Sequence, residues 1–177
     1  MNEILDIILH TDEKLLDLVN TYGTFTYVIL FTIIFCETGL VFFPFLPGDA
    51  LLFAAGILAS TGALNVVLLA RILIAAAILG NTSNYLIGRF ASKYFLRIKN
   101  KLFHRYLKEA GDFYEKHGGN AIVLSRFFPI VRTYVPFVAG VTKMDARTYT
   151  FYNVFGGIFW VVLFVFGGYF FRKYPLG

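Results

Sequence analysis

Cysteine is almost absent from this sequence. The single cysteine, Cys36, lies in an apolar run, so an internal disulfide is excluded and no metal cluster is suggested. Charged residues are also scarce at 15% of the chain, whereas soluble domains contain about 25%. Hydrophobic residues make up 58% of the chain, and this excess predicts one integral membrane domain over residues 1–177.

Histidine is also rare, and its positions argue against an enzyme. Hydrolysis of a lipid phosphate needs a nucleophile and a general acid or base close to it. The three histidines, His10, His104 and His117, fall outside the segments that we expect to be buried in the membrane. No nucleophile and base occur at a recognisable spacing. We therefore predict neither enzymatic activity nor a cofactor, with a lipid phosphatase kept as an alternative of a different class.

A basic region is missing after Met1, which argues against a cleaved signal peptide. Residues 1–21 are instead acidic and amphipathic, a pattern typical of a helix at the membrane interface. Half of the 16 basic residues lie in residues 89–117. The positive-inside rule predicts that this amphipathic, helical segment faces the cytoplasm. Because no recognition motif accompanies the charge, nucleic-acid binding is not predicted.

Four apolar regions follow, and two of them are interrupted. Residues 64–88 and 148–171 are long enough to cross a bilayer. Residues 24–60 are interrupted after residue 43, and the second piece, residues 50–60, would extend only about 16 Å as a helix. Residues 120–142 are interrupted by prolines and are too short for two complete crossings. Such interrupted segments predict re-entrant hairpins. The residues expected at the breaks, either as hairpin tips or as plain helix breakers, are Pro44, Pro47, Gly48, Pro129 and Pro136.

The two halves of the chain share a pattern. Phe43-Pro44 is followed by Phe53-Ala54-Ala55-Gly56, as Phe128-Pro129 is followed by Phe137-Val138-Ala139-Gly140. We predict an all-α integral membrane fold with an inverted repeat, about 1–90 and about 91–175. Each repeat would contain an interfacial helix, a re-entrant helical hairpin and a transmembrane helix. Inverted repeats with matching breaks are typical of transporters whose site lies near the middle of the bilayer.

A polar patch, residues 80–85, interrupts the first predicted crossing. Hydrogen bonding between helices is the first interpretation of such a patch in a membrane protein. The lining of a cavity is the alternative.

Four ionisable residues lie in the apolar regions: Glu37, Asp49, Arg126 and Arg132. Each would cost about 2.5–3.5 kcal/mol at the centre of a membrane helix, so pairing or water is expected. One interpretation is a structural ion-pair network. In the other, the guanidinium forks of Arg126 and Arg132 bind a phosphate. Glu37 and Asp49 would then take up a proton or a cation, because burial disfavours the ionised form of a carboxyl group.

Three motifs closely resemble the DedA family, also called the SNARE-associated Golgi protein or VTT-domain family. They are Phe35-Cys36-Glu37-Thr38-Gly39, Pro44-Phe45-Leu46-Pro47-Gly48-Asp49, and Ser125-Arg126-Phe127 continuing through Arg132-Thr133 to Pro136-Phe137-Val138-Ala139-Gly140. The resemblance extends from about residue 3 to 175. It implies a multi-pass bacterial inner-membrane protein with two opposed re-entrant hairpins. The essential acids of the family match Glu37 and Asp49, and its essential arginines match Arg126 and Arg132.

The resemblance also implies lipid transport, with undecaprenyl (polyprenyl) phosphate as the substrate and a link to the proton-motive force. The alternatives are a general phospholipid scramblase and a non-transport role in membrane assembly. The expected partners are the bilayer and its lipids, and a homo-oligomer stays open. Two features depart from the family: Asn81 stands where many relatives carry aspartate, and relatives usually continue into another apolar helix.

Overall fold

The computed structural model describes residues 23–40, 48–95, 101–128 and 131–173, and these residues are helical apart from short turns. The all-α prediction is therefore confirmed for them. The interfacial helix predicted for residues 1–21, and the breaks predicted at Pro44, Pro47 and Pro129, lie outside the described residues. The helices in chain order are α1 (Phe25–Gly39), α2 (Gly48–Ser60), α3 (Val66–Phe95), α4 (Lys101–His117), α5 (Asn120–Leu124), α6 (Val131–Val141) and α7 (Ala146–Lys173), with a 3₁₀ turn (Ser125–Phe127) after α5.

Among the described residues, two helices are long and apolar enough to cross a membrane. They are α3, over Val66–Ala91, and α7, with mean hydropathies of 1.9 and 2.1. Helix α3 continues to Phe95, seven residues past the predicted end of the first crossing, so the start of the predicted basic segment belongs to α3. The amphipathic basic helix is α4, which buries Phe103 and Ala110 and packs chiefly on α6.

The other apolar helices that the structure describes are short, as the interrupted pattern predicted for α2 and α6. Helices α1, α2 and α6 have 15, 13 and 11 residues. At 1.5 Å per residue, each is about 16–23 Å long, whereas the hydrocarbon core is about 30 Å thick. Helix α2 begins at Gly48. The second interrupted region breaks at Phe128, whose backbone is extended (φ −115°, ψ 108°), as the clash with a following proline favours.

Pro136 was expected to break the second hairpin, and that prediction is wrong. It lies inside α6, which runs unbroken from Val131 to Val141. Proline removes one backbone donor, in this case the N–H that would bond to the carbonyl of Arg132. The nine residues from Arg132 to Gly140 are all buried, so packing on neighbouring helices holds this segment helical in spite of the missing bond.

The described chain forms two compact units. Unit 1 contains residues 23–34, 48–75 and 159–173, and unit 2 contains residues 35–40, 76–95, 101–128 and 131–158. Neither unit is a continuous piece of chain, because α1, α3 and α7 each contribute to both.

In unit 1, α2 and α7 touch backbone to backbone through two glycines. A Cβ atom on Gly56 would overlap the carbonyl oxygen of Val165, and a Cβ atom on Gly168 would overlap that of Phe53. Small residues at such crossings let membrane helices approach closely, because association there depends on packing and not on exclusion of water.

In unit 2, α3 and α6 make a contact of the same kind. A Cβ atom on Gly88 would overlap the carbonyl oxygen of Phe137, and one on Gly140 would overlap that of Tyr85. Phe103 of α4 covers α6 from another side, with its ring edge-on to Tyr134 at 5.9 Å between centroids.

An aspartate begins α7. The carboxylate of Asp145 accepts hydrogen bonds from the backbone N–H groups of Arg147 and Thr148, both at 3.0 Å. This is the N-cap arrangement, which satisfies donors that have no partner within the helix. The bond from Thr148 contributes most to lowering the pKa of Asp145, so the cap stays charged at neutral pH.

Candidate functional site

The two arginines flank the break at Phe128. Arg126 lies in the 3₁₀ turn and Arg132 in the first turn of α6, and both are no more than 7% exposed. Two buried guanidinium groups therefore lie six residues apart in the chain, on either side of the break. Burying a charge is costly unless it is compensated, so the groups around these side chains decide what they can do.

Arg132 forms a buried ion pair with Glu37 in unit 2. Its Nη2 atom donates a hydrogen bond to Oε1 of Glu37, which lies near the end of α1 and is 1% exposed. The two charges compensate each other, whereas either charge alone would be costly to bury. The expectation that a predicted acid neutralises a predicted arginine is therefore met for this pair.

Arg126 is held by Asn153 of α7. Its Nη2 atom donates to Oδ1 of Asn153 at 2.7 Å and to the backbone oxygen of the same residue at 3.3 Å. Asn153 is fully buried, and its own amide donates to the carbonyl of Ile78 at 3.0 Å and to Oγ1 of Thr82 at 3.1 Å. Asn153 thus ties the guanidinium group to α3 and restricts its orientation.

Two consecutive glycines in α7 make room for Arg126. A Cβ atom on Gly156 would lie 3.2 Å from Nε of Arg126, and one on Gly157 would lie 3.4 Å from Nη2. Larger side chains at these positions would press on the guanidinium group.

Asn84 of α3 connects the backbones that carry the ion pair. Its Nδ2 atom donates to the carbonyl oxygen of Thr133 at 2.6 Å and to that of Thr38 at 3.4 Å. These threonines directly follow Arg132 and Glu37 in the chain. The carbonyl of Thr38 is among the last four of α1, which have no partner within a helix. Oδ1 of Asn84 is buried without a hydrogen-bond partner in the described part of the chain, so it is an acceptor available to water or a hydroxyl group.

Replacement of Asn84 by alanine is expected to destabilise the protein by about 1–3 kcal/mol, because it removes the buried donor that serves two carbonyl groups. Unfolding in detergent, followed by the loss of monodisperse protein on heating, measures this. Ser83→Ala is the matched control on the same helix, because the exposed hydroxyl of Ser83 donates to the carbonyl of Leu79 in the turn before it. Surface substitutions usually change the free energy of unfolding by less than about 0.5 kcal/mol. A loss that small for Asn84→Ala would contradict a stabilising role for the two hydrogen bonds that Asn84 donates.

Asp49 belongs to unit 1. It lies in the first turn of α2, where its negative charge suits the helix N-terminus. Its Oδ1 atom accepts a hydrogen bond of 2.8 Å from the indole N–H of Trp160. Trp160, the only tryptophan of the chain, is almost fully buried in α7.

Sequence reasoning missed the neutral partners of the charged residues. Asn153 orients Arg126, and Trp160 orients Asp49. Asn84 holds the backbone next to the Arg132–Glu37 ion pair. For Asn84, the polar patch within an apolar span was the available signal, and hydrogen bonding between helices proves to be its role. For Asn153, the only signal in the sequence was a single amide side chain within an apolar run. Within the described ranges, no group of three histidine, cysteine or acidic side chains is placed to hold a metal ion.

Comparison with known proteins agrees with the motifs. The model of the VTT domain matches residues 46–170, more than half of the chain. Protein DedA of Escherichia coli K12 is 52% identical over 98% of this chain and 81% of its own length. Inner membrane protein YqjA of the same strain is 35% identical over 85% of this chain and 69% of its own.

A mycobacterial relative extends the comparison. Uncharacterized membrane protein ML0287 of Mycobacterium leprae is 39% identical over 81% of this chain and 65% of its own length. No solved structure matches the chain significantly. The family match, the identity over nearly the full length and the two apolar spans all agree, and the chain belongs to the DedA family of VTT-domain membrane proteins.

Proposed function

We propose that this protein transports a phosphate-bearing lipid, most specifically polyprenyl (undecaprenyl) phosphate, across a bacterial inner membrane. The observation that carries the proposal is the pair of buried arginines on either side of a helix break. Ionisable groups inside a membrane segment are costly and usually mark a substrate path. A guanidinium fork matches phosphate oxygens in geometry and charge, so an anionic headgroup is the fitting ligand.

The ion pair provides a way to couple lipid binding to a proton. A phosphate approaching Arg132 competes with the carboxylate of Glu37, which already accepts its hydrogen bond. If Glu37 takes up a proton as the phosphate arrives, the buried charge stays balanced throughout. Moving an anion inward against an inside-negative potential costs about 2.3 kcal/mol per charge per 100 mV, and a co-transported proton cancels that cost. Asp49 is the second candidate for proton or cation uptake.

The two units support an inverted-repeat arrangement for this transporter. In unit 1 the pair Phe53 and Gly56 meets the pair Val165 and Gly168 by reciprocal glycine–carbonyl contacts. In unit 2 the motif Phe137-Val138-Ala139-Gly140 meets Tyr85 and Gly88 in the same reciprocal manner. Each short helix thus packs against the long helix of the other predicted repeat, which is the reciprocal packing expected of an inverted repeat.

The charge distribution and the names of the relatives support a location in the bacterial inner membrane. YqjA is named an inner membrane protein, and α4 with the end of α3 carries six of the eight basic residues of the 89–117 segment. The positive-inside rule places that segment in the cytoplasm. The chain would then be multi-pass, with the first hairpin entering from outside and the second from inside.

Flux of labelled polyprenyl phosphate through liposomes containing the purified protein tests the proposal. We expect protein-dependent flux that exceeds that of labelled phosphatidylethanolamine and rises when the compartment from which the lipid leaves is acidic. The Glu37→Gln variant should lose the response to the pH gradient, because its side chain cannot take up a proton. Arg105→Gln, on the exposed face of α4, is the control variant and should keep both properties.

Other outcomes separate the alternatives. Equal flux of both lipids would indicate a general scramblase. Absence of flux from well-folded protein would overturn transport and favour an assembly role, and release of inorganic phosphate from polyprenyl pyrophosphate would favour a lipid phosphatase.

A further inference from the structure

A groove in unit 2 runs between α5 and α7 and is separate from the polar contacts described above. Its volume is about 360 Å³, and its lining is formed by Asn120, Val123, Leu124, Phe151, Tyr152 and Phe155. Phe151, Phe155 and Leu124 are 69%, 58% and 40% exposed. In a membrane protein, such side chains face the hydrocarbon of the bilayer. The groove is therefore a concave, mainly apolar surface that lipid can enter.

This surface is concave, unlike an exposed apolar side chain on the outside of a single helix. Lipid chains on a convex helix surface exchange freely, whereas a groove surrounds one chain on several sides and gains more dispersion contacts. Its volume lies near the lower end of ligand pockets, which span about 300–1,000 Å³. The space therefore suits part of one hydrocarbon chain.

Arg126 lies next to one wall of the groove. Val123, on its wall, precedes Arg126 by three residues, and the backbone stays in the right-handed helical region from α5 into the 3₁₀ turn. Residues three apart in such turns lie on one face. The Cβ position of Gly156 lies 3.2 Å from Cα of Val123 and 3.2 Å from Nε of Arg126, so the two are neighbours on one spot of α7.

Asn153 provides a second link between groove and arginine. It holds Arg126 by a 2.7 Å hydrogen bond and lies between Tyr152 and Phe155 in the chain, both of which line the groove. A charged end and an apolar channel thus adjoin, and this is the layout of a lipid with one anionic headgroup.

We propose that this groove binds the first part of the hydrocarbon chain of the lipid whose phosphate is bound by Arg126. The inference rests on the proposed function for the identity of the lipid, but it concerns binding and not movement. The occupant is a phosphate-bearing lipid, and the groove guides it in a defined orientation with the phosphate leading toward Arg126.

Photo-crosslinking from inside the groove tests this. Phe155→benzoylphenylalanine places the probe in the groove, and Phe90→benzoylphenylalanine places it on the 78% exposed Phe90 of α3. Each protein is reconstituted in phosphatidylcholine liposomes with a trace of radiolabelled polyprenyl phosphate or the matching polyprenol. At position 155 we expect the phosphate form to crosslink at least about fivefold more than the alcohol, a factor equivalent to about 1 kcal/mol. At position 90 the two should crosslink equally.

The comparison of the two lipids needs no change to a buried charge, so the result does not depend on a variant that fails to fold. In the Arg126→Gln protein, provided that it is monodisperse, the preference at position 155 should disappear. Equal crosslinking of alcohol and phosphate at position 155 would show that bulk lipid fills the groove and would overturn the inference, even if flux is observed. A preference at position 155 supports the groove whether or not the same preparation transports lipid.

Discussion

The Arg132→Ala variant is expected to lose about 3–5 kcal/mol of folding free energy, which is a large share of the about 5–15 kcal/mol that most proteins have. The substitution leaves the carboxylate of Glu37 at 1% exposure without the guanidinium group to which it is hydrogen-bonded. Thermal unfolding in detergent, followed by size-exclusion chromatography, measures the loss. We expect a lower apparent unfolding temperature and a low yield of inserted protein.

Two controls isolate the buried charge as the cause. Arg105→Ala also breaks an ion pair, that of Arg105 with Glu109 at 3.0 Å, but these side chains are largely exposed. Its expected cost is about 0.5 kcal/mol or less. The double variant Arg132→Gln with Glu37→Gln removes both buried charges and should recover most of the lost stability. If the double variant is as unstable as Arg132→Ala, the uncompensated charge is not the reason for the loss.

Substitution of Gly140 by alanine is expected to cost about 1–3 kcal/mol, the usual range for an overpacked core. The added Cβ would overlap the carbonyl oxygen of Tyr85 and would lie 2.7 Å from the backbone nitrogen of Arg89. Neither is a flexible side-chain end that can turn away, so α3 and α6 must separate. Thermal unfolding measures the loss, and a weaker flux should accompany it because α6 carries Arg132.

Gly111→Ala is the matched control for this prediction. Gly111 lies within α4, and a Cβ atom there would meet no atom of the described residues within 4 Å. Alanine is favoured over glycine in a helix interior by about 1 kcal/mol, so this variant should be as stable as the parent or more stable. Equal behaviour of the two alanine variants would contradict the close approach of α3 and α6.

The fold was predictable where hydropathy and length decide. Helices α3 and α7 follow from apolar runs, and the short arms α2 and α6 follow from the interruptions. The end of α3 at Phe95 was missed because a helix continues through polar residues that hydropathy excludes. Pro136 was misjudged because a local rule was applied to a segment that tertiary packing keeps helical.

The candidate site was predictable only for its charges. Glu37 and Arg132 stand out because an ionised side chain in an apolar run is costly, and their pairing joins residues 95 positions apart. Asn153 and Trp160 do not stand out, since a neutral amide or indole carries a much smaller cost in such a run. Their roles depend on which helices meet, and a single sequence does not contain that information.

The shared use of α7 by both units has a consequence for biosynthesis. Asp49 and its partner Trp160 are 111 positions apart, and Gly56 likewise meets Val165 only through the last helix. At about 5–20 residues per second, α2 leaves the ribosome roughly 6–22 s before its partner. During that interval the nascent chain holds a carboxylate and a glycine-rich helix face that must be shielded by lipid or by an insertion factor. Translation that stops before Trp160 would therefore leave α2 without its partner helix, however much of unit 2 has already been made.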